Sequence, residues 1–218
     1  MRLILASSSP RRQDVLREAG FDFDVLASGA EEARLPNETP ECYVRRTARD
    51  KALAVAASVA AAPGVLNDTN GVASGDSSGD VSGNTSCDAF DDVIVLGADT
   101  EVVVEGEILG KPRDAEDAAR MLRLLSGRTH QVITGVCLAR PPDAIEALDH
   151  ETTQVTFRRL DDQEISDYVR SGEPFGKAGA YAIQGRASRF VTRIEGCYFN
   201  VVGLPVALVY GMLKPLLS

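Results

Sequence analysis

A chain of 218 residues can bury one substantial core, and length alone does not demand two domains. With 44% apolar and 25% charged residues it reads as a globular protein, and no apolar run approaches the ~18–20 residues of a membrane span. A net charge of −9 argues against a nucleic-acid-binding surface, and four cysteines without paired spacing argue against a disulfide scaffold or a cysteine-ligated metal.

Residues 3–6 form a short apolar stretch, cut off by Pro10, Arg11 and Arg12. That is too short for a secretion signal, so the stretch is read as a buried strand and the expected location is the cytoplasm. A helix follows over 13–19, stopped by Gly20, and a second strand over 21–26. Residues 30–39 are a polar, acidic loop, and 40–62 a long alanine-rich helix. From 63 to 92 the composition turns to Gly, Ser, Asp, Asn and Thr, which cannot offset its ordering entropy; a disordered insertion is predicted. Its two Asn-x-Ser/Thr matches, at Asn67 and Asn84, are read as chance.

Residues 93–96 are a buried strand ending at Gly97, Ala98, Asp99 and Thr100, and 102–104 with 107–109 form a hairpin about Glu105 and Gly106. A helix spans 115–125 with Asp114 as its cap and Gly127 beyond its end. Strands follow over 131–138 and 151–158, then a helix over 161–171 capped by Asp161. Short strands at 181–183 and 190–194 and a helix over 205–217 complete the chain. Intermixed strands and helices predict an α/β fold: one domain over 1–218, built on a mixed twisted sheet flanked by helices.

Only four of the 23 basic residues are lysines: Lys51, Lys111, Lys177 and Lys214. Lysine is a compact point charge and arginine a planar fork, so a composition that has nearly replaced lysine retains it where the exchange is difficult. Three of the four sit in short motifs suited to phosphate. The loop Ser7, Ser8, Ser9, Pro10, Arg11, Arg12 lies between a strand and a helix. There, free N–H groups, hydroxyls and guanidinium forks can all meet phosphate, although a plain serine N-cap accounts for the pattern about as well. Asp99 closes an apolar strand, where ligands of open α/β sheets bind; it can take a proton from water, hold a divalent cation, or both. Glu31 and Glu32, a solvated acidic pair on pattern alone, could bind Mg²⁺ if brought to Asp99. Gln184 offers a donor and an acceptor to a base edge. His130 is read as structural.

In this order the motifs resemble the Maf family of nucleoside triphosphate pyrophosphatases. The likeness runs through residues 5–12, 48–52, 96–100, 110–112, 121–127, 177–185 and 200–205, and spares only the 63–92 insertion. It implies an inosine-triphosphatase-like fold with a cleft between two lobes, and a possible homodimer. It also implies hydrolysis between the α and β phosphates, to monophosphate and pyrophosphate, with Mg²⁺ or Mn²⁺. The family's proton acceptor falls on Asp99, and its specificity positions on Arg11, Thr100 and Gln184, a combination like that of the dTTP/UTP-hydrolysing group. Arg12, Lys51 and Lys111 match basic phosphate-pocket positions and Glu32 an acidic one. Asp50 stands where the family usually has Glu.

The expected machinery is therefore Asp99, Lys51, Lys111 and Glu32 as catalytic residues, with Asp99 and Glu32 on the metal. Ser7, Ser9, Arg11, Arg12, Thr100, Lys177 and Gln184 are expected on the substrate. The resemblance also admits a non-catalytic nucleotide-binding regulator of cell division and septum formation; an intact Asp99 with a full basic set favours catalysis. A general inosine or xanthosine triphosphate pyrophosphatase is disfavoured by Arg11, Thr100 and Gln184.

Overall fold

The computed structural model describes residues 1–62 and 92–217. The expected insertion, apart from its last residue, and the Asn67 and Asn84 motifs lie outside the described residues.

Seven strands form one mixed sheet: β1 (Arg2–Leu5), β2 (Asp24–Val25), β3 (Val93–Val104), β4 (Glu107–Leu109), β5 (Thr129–Arg140), β6 (Ala144–Phe157) and β7 (Val191–Glu195). The order is β2-β1-β3-β5-β6-β7, with β4 paired to β3. Strand β1 runs parallel to β2 and β3; the other pairings are antiparallel.

Alternation along β1 and β3 assigns their side chains to two cores. Leu3, Leu5, Ile94, Leu96, Ala98, Val102 and Val104 enter a large core on one face. That core is closed by α1 (Pro10–Glu18), α3 (Ala115–Leu125), α4 (Asp162–Arg170), α5 (Tyr198–Val202) and α6 (Val206–Leu213) through Leu16, Leu122, Tyr168, Val202 and Val209. Ile4, Ala6, Val93 and Val95 face the other way, onto Ala48, Ala52, Val55 and Val59 of α2 (Pro40–Ala61). The expected mixed sheet flanked by helices is the observed one.

Small residues let α2 approach the sheet. A methyl placed on Gly97 would lie 2.2 Å from the Ala48 carbonyl oxygen, and one on Gly135 2.1 Å from that of Val44. The helix begins at Pro40, behind Thr39, whose hydroxyl accepts from the Cys42 amide. Asp114 caps α3 as expected, and Asp161 and Glu164 form a reciprocal capping box on α4.

Several expectations are corrected. Strand β3 does not end at Asp99 but runs on to Val104. Of the strand expected over 21–26 only Asp24–Val25 pairs, because β1, its partner, is itself four residues long. The strand expected over 181–183 does not form. Gly176, Gly179 and Ala180 just before it take positive φ, which breaks extension, and Tyr181 instead buries its ring against His130 and Phe157. The last helix ends at Leu213 and tightens into a 3₁₀ turn at Pro215, which has no N–H to continue it; α5 was not anticipated. Among the described residues no helix is long and apolar enough to cross a membrane.

Candidate active site

One edge of β3 has a gap. Strand β1 pairs with it over Val93–Leu96 and β4 over Val102–Val104. Between these, residues 97–101 have no strand partner on that side. Asp99 thus lies beyond the carboxyl end of β1 rather than of its own strand, the position the sequence pattern had pointed to for another reason. A cleft of about 240 Å³ opens at the gap. The loop after β1, the start of α1, Glu32, the residues after β4, the 176–178 segment and the end of α5 all reach it.

Ten of the eleven expected site residues line this cleft: Ser7, Ser9, Arg11, Arg12, Glu32, Lys51, Asp99, Thr100, Lys111 and Lys177. Gln184 does not line it; it is exposed, in the turn after Ile183.

At one end, ammonium and carboxylate groups interleave. Lys51 Nζ lies 2.5 Å from Asp99 Oδ1 and 2.7 Å from Glu32 Oε1, while Lys111 Nζ lies 3.2 Å from Glu32 Oε2. Lys51 and Asp99 are 7% and 6% exposed, so this pairing forms away from bulk water. Thr47 Oγ1 is 2.8 Å from Asp99 Oδ2 and 2.7 and 3.3 Å from the Tyr43 and Val44 carbonyls, three acceptors for its single proton. The Tyr43 hydroxyl donates to the Glu32 backbone oxygen at 2.7 Å and moors the Glu32 loop to α2. Burial raises the Glu32 carboxyl, but hydrogen bonds and charge from Lys51 and Lys111 outweigh it and hold the group below its ordinary value.

Sequence reasoning missed Glu101. It lines the cleft two residues beyond Asp99, hence on the same face of β3. Its Oε2 is buried and, among the described residues, has no hydrogen-bond partner. Burial, then the charges of Asp99 and Glu32, push its carboxyl up to about 8. The period-two signal was available, but ending the strand at Thr100 cancelled it.

Arg12 is largely committed to structure. Its Nε donates to the Gly203 carbonyl at 2.8 Å, Nη2 to Thr100 Oγ1 at 2.9 Å and Nη1 to Ser7 Oγ at 3.3 Å. Thr100 Oγ1 in turn lies 3.0 Å from Thr134 Oγ1, its cross-strand neighbour on β5. One guanidinium thus ties α1 to β3 and to the turn after α5. Burial lowers its pKa against the raising effect of Asp99 and Glu32. Arg11 is also lowered by burial. Lys177 is lowered by burial first and then by the charge of Arg11, so these two cations share the opposite end of the cleft. Lys177 Nζ donates to the Glu173 carbonyl at 2.6 Å, which holds it in place.

His130 is structural, as expected. It is buried behind Tyr181, with Nε2 2.9 Å from the Tyr181 hydroxyl. Cys137 is buried, Cys42 exposed and Cys197 half-buried, and all three are free thiols.

Among the described residues no three Asp, Glu, His or Cys side chains form a metal cage by themselves. The carboxylates of Asp99, Glu32 and Glu101 are nevertheless hard oxygen donors on one cleft that, among the described residues, no histidine or cysteine lines. Such a set suits Mg²⁺ or Mn²⁺ sharing its coordination with phosphate and water, and not a thiolate or imidazole metal.

The family described as Maf-like protein matches residues 2–216. A dTTP/UTP pyrophosphatase from Koribacter versatilis is 46% identical over 98% of this chain and 94% of its own length. Proteins of the same name from Salmonella typhimurium and Pelotomaculum thermopropionicum are 47% and 43% identical; each match covers 97% of this chain, and 91% and 95% of theirs respectively.

Proposed function

The chain belongs to the Maf family, and from that premise we propose that it hydrolyses dTTP and UTP to the monophosphate and pyrophosphate. The observation that carries this is convergence: residues from six separate stretches of sequence, 7–12, 32, 51, 99–100, 111 and 177, meet in one cleft, with lysines beside a buried carboxylate at one end and Arg11 with Lys177 at the other. The expected mechanism is in-line attack of water on the α-phosphorus. Asp99 takes the water's proton, the bond from the α-phosphorus to the bridging oxygen breaks, and pyrophosphate leaves with that oxygen. Lys51 and Lys111 at the carboxylate end, with Arg11 and Lys177 at the other, neutralise the triphosphate and the charge spreading over the transition state. Arg12 acts by holding Ser7 and Thr100 in place. A divalent cation would be held by Asp99 and Glu32 and would supply further neutralisation of phosphate charge. Thr100 and Arg11, which both line the cleft, are the residues expected to read the nucleotide. For Gln184, reading a base requires the turn after Ile183 to approach the bound nucleotide.

The test is pyrophosphate release with Mg²⁺ or Mn²⁺ across dTTP, UTP, CTP, GTP, 7-methyl-GTP and ITP, with Asp99→Asn alongside. Preferential cleavage of dTTP and UTP, lost in the variant, is expected. Binding without turnover of any nucleotide would sink the reading.

A further inference from the structure

Glu173 follows α4 and closes the segment 173–186 on itself. Its carboxylate takes two donors: the Tyr168 hydroxyl at 2.9 Å on Oε1 and the Arg186 amide at 3.0 Å on Oε2. Tyr168 Oη in turn accepts from the Ala182 amide at 3.2 Å, and its side chain is fully buried in the large core, so the hydroxyl is a fixed post. The carboxylate rests directly on the turn: a methyl placed on Gly185 would lie 2.3 Å from Oε1. The Glu173 carbonyl holds the middle of the same segment, taking the Lys177 ammonium at 2.6 Å.

Between these holds the backbone is strained. Gly176, Gly179 and Ala180 take positive φ, and Ala180, at 58°, carries a Cβ that disfavours it. Such residues persist where their surroundings over-determine them, and they cluster at ligand sites. Here the strained stretch is cleft wall: Gly176, Lys177, Ala178 and Tyr181 line the cleft. Gln184 follows three residues on, exposed, with the amides of Ala182 and Arg186 tied down on either side of it.

We propose that Glu173 is a positioning residue for nucleotide selection: its carboxylate fixes the turn that presents Gln184, while its carbonyl fixes Lys177 at the cleft. Base reading and phosphate neutralisation are then held in register by one residue. The proposal rests on the pyrophosphatase reading above, with Gln184 as a base reader.

Glu173→Ala removes the carboxylate and keeps the carbonyl, so Lys177 retains its hold and the change falls on the turn. The experiment measures kcat and KM of the full chain for dTTP, UTP, CTP and GTP with Mg²⁺. Parent, Glu173→Ala, Glu173→Gln and Tyr168→Phe are compared, with melting temperatures alongside. Glu173→Ala is expected to lower the dTTP-to-GTP ratio of kcat/KM about tenfold, the worth of one hydrogen bond to the base. The loss should lie in KM for dTTP and UTP, with little change in kcat. Glu173→Gln still accepts from the Arg186 amide through its oxygen and can donate to the Tyr168 hydroxyl, so it should recover most of the preference. Tyr168→Phe cuts the same hold from the other side and should shift the preference in the same direction; it decides the matter if Glu173→Ala does not fold. A lower melting temperature with all four nucleotides losing alike, or an unchanged dTTP-to-GTP ratio, overturns the proposal, since Glu173 would then be a packing residue only. A parent protein that cleaves none of the four, or all four alike, brings down the reading beneath the proposal, and that result is read from the parent alone.

Discussion

Removing Lys51 should destabilise the protein more than removing its partner Asp99. The ammonium sits 2.5 Å from Asp99 Oδ1 and 2.7 Å from Glu32 Oε1, with both Lys51 and Asp99 side chains under 10% exposed. Lys51→Met leaves Asp99 charged and buried against only the Thr47 hydroxyl. Breaking a buried pair in this way costs about 3–5 kcal/mol. Asp99→Asn is milder, because Lys51 keeps Glu32 and the amide can still meet Thr47. Its cost is about 1–3 kcal/mol, the range of one charge-assisted hydrogen bond. The double variant Lys51→Met/Asp99→Asn removes the stranded charge, so it should be more stable than Lys51→Met alone. Urea unfolding of the four proteins, without nucleotide or divalent cation, gives the cycle directly. Equal losses in the two single variants, adding without coupling in the double, would refute an ammonium shared between two carboxylates.

Three further outcomes follow from the packing. Gly97→Ala puts a methyl 2.2 Å from the Ala48 oxygen and must push α2 outward, at a cost of about 1–3 kcal/mol in thermal unfolding. Because α2 carries Thr47 and Lys51, kcat should fall with it; a fully active, fully stable variant would contradict the packing. Arg12→Lys keeps the charge but cannot serve Gly203, Thr100 and Ser7 together, so both stability and turnover should drop; full retention would show that charge alone matters there. Burial holds His130 neutral down to about 4, whereas the unfolded chain protonates near the ordinary imidazole value of 6.5. The unfolded state therefore binds the extra proton between those values, and stability falls as pH drops through that window, by about 3 kcal/mol. In Glu- and Asp-matched background, His130→Gln should flatten that part of the urea-midpoint profile relative to the parent; an unchanged slope would mean His130 is not held neutral.

How much of this was legible depended on whether the signal was local. The cap residues Asp114 and Asp161 and the continuous apolar stretch at 93–96 gave true elements, because hydrogen bonding and burial there depend on near neighbours. The strand expected at 181–183 failed because its apolar residues answer to a non-local demand: Tyr181 fills the space beside His130 and Phe157. Asp99 was found with an incomplete reason. The pattern suggested a strand end, whereas the strand that ends there is β1, and only the pairing register reveals it. Glu101 was lost with the same misplaced boundary. Of the site as a whole, the motif order located ten residues of one cleft; it could not tell that Arg12 is engaged by the protein itself, since Gly203 and Thr100 lie 191 and 88 residues away.

That distinction gives the scarcity of lysine a physical meaning. Lys51, Lys111 and Lys177 all line the cleft, while the fourth lysine, Lys214, lies outside it in the exposed turn after α6. The arginine at the heart of the site acts as a staple, three donors in a fixed fork holding three elements in register. A staple is poorly suited to release one anion and take another. An ammonium on a flexible stem is suited to it: Lys51 can leave carboxylate oxygens for phosphate oxygens by rotating its own chain, with no element having to move. If so, Lys51→Arg should fold and keep its ion pairs yet lose turnover, most of it in kcat and little in KM. A variant as active as the parent would show that charge at position 51 suffices and that its mobility contributes nothing.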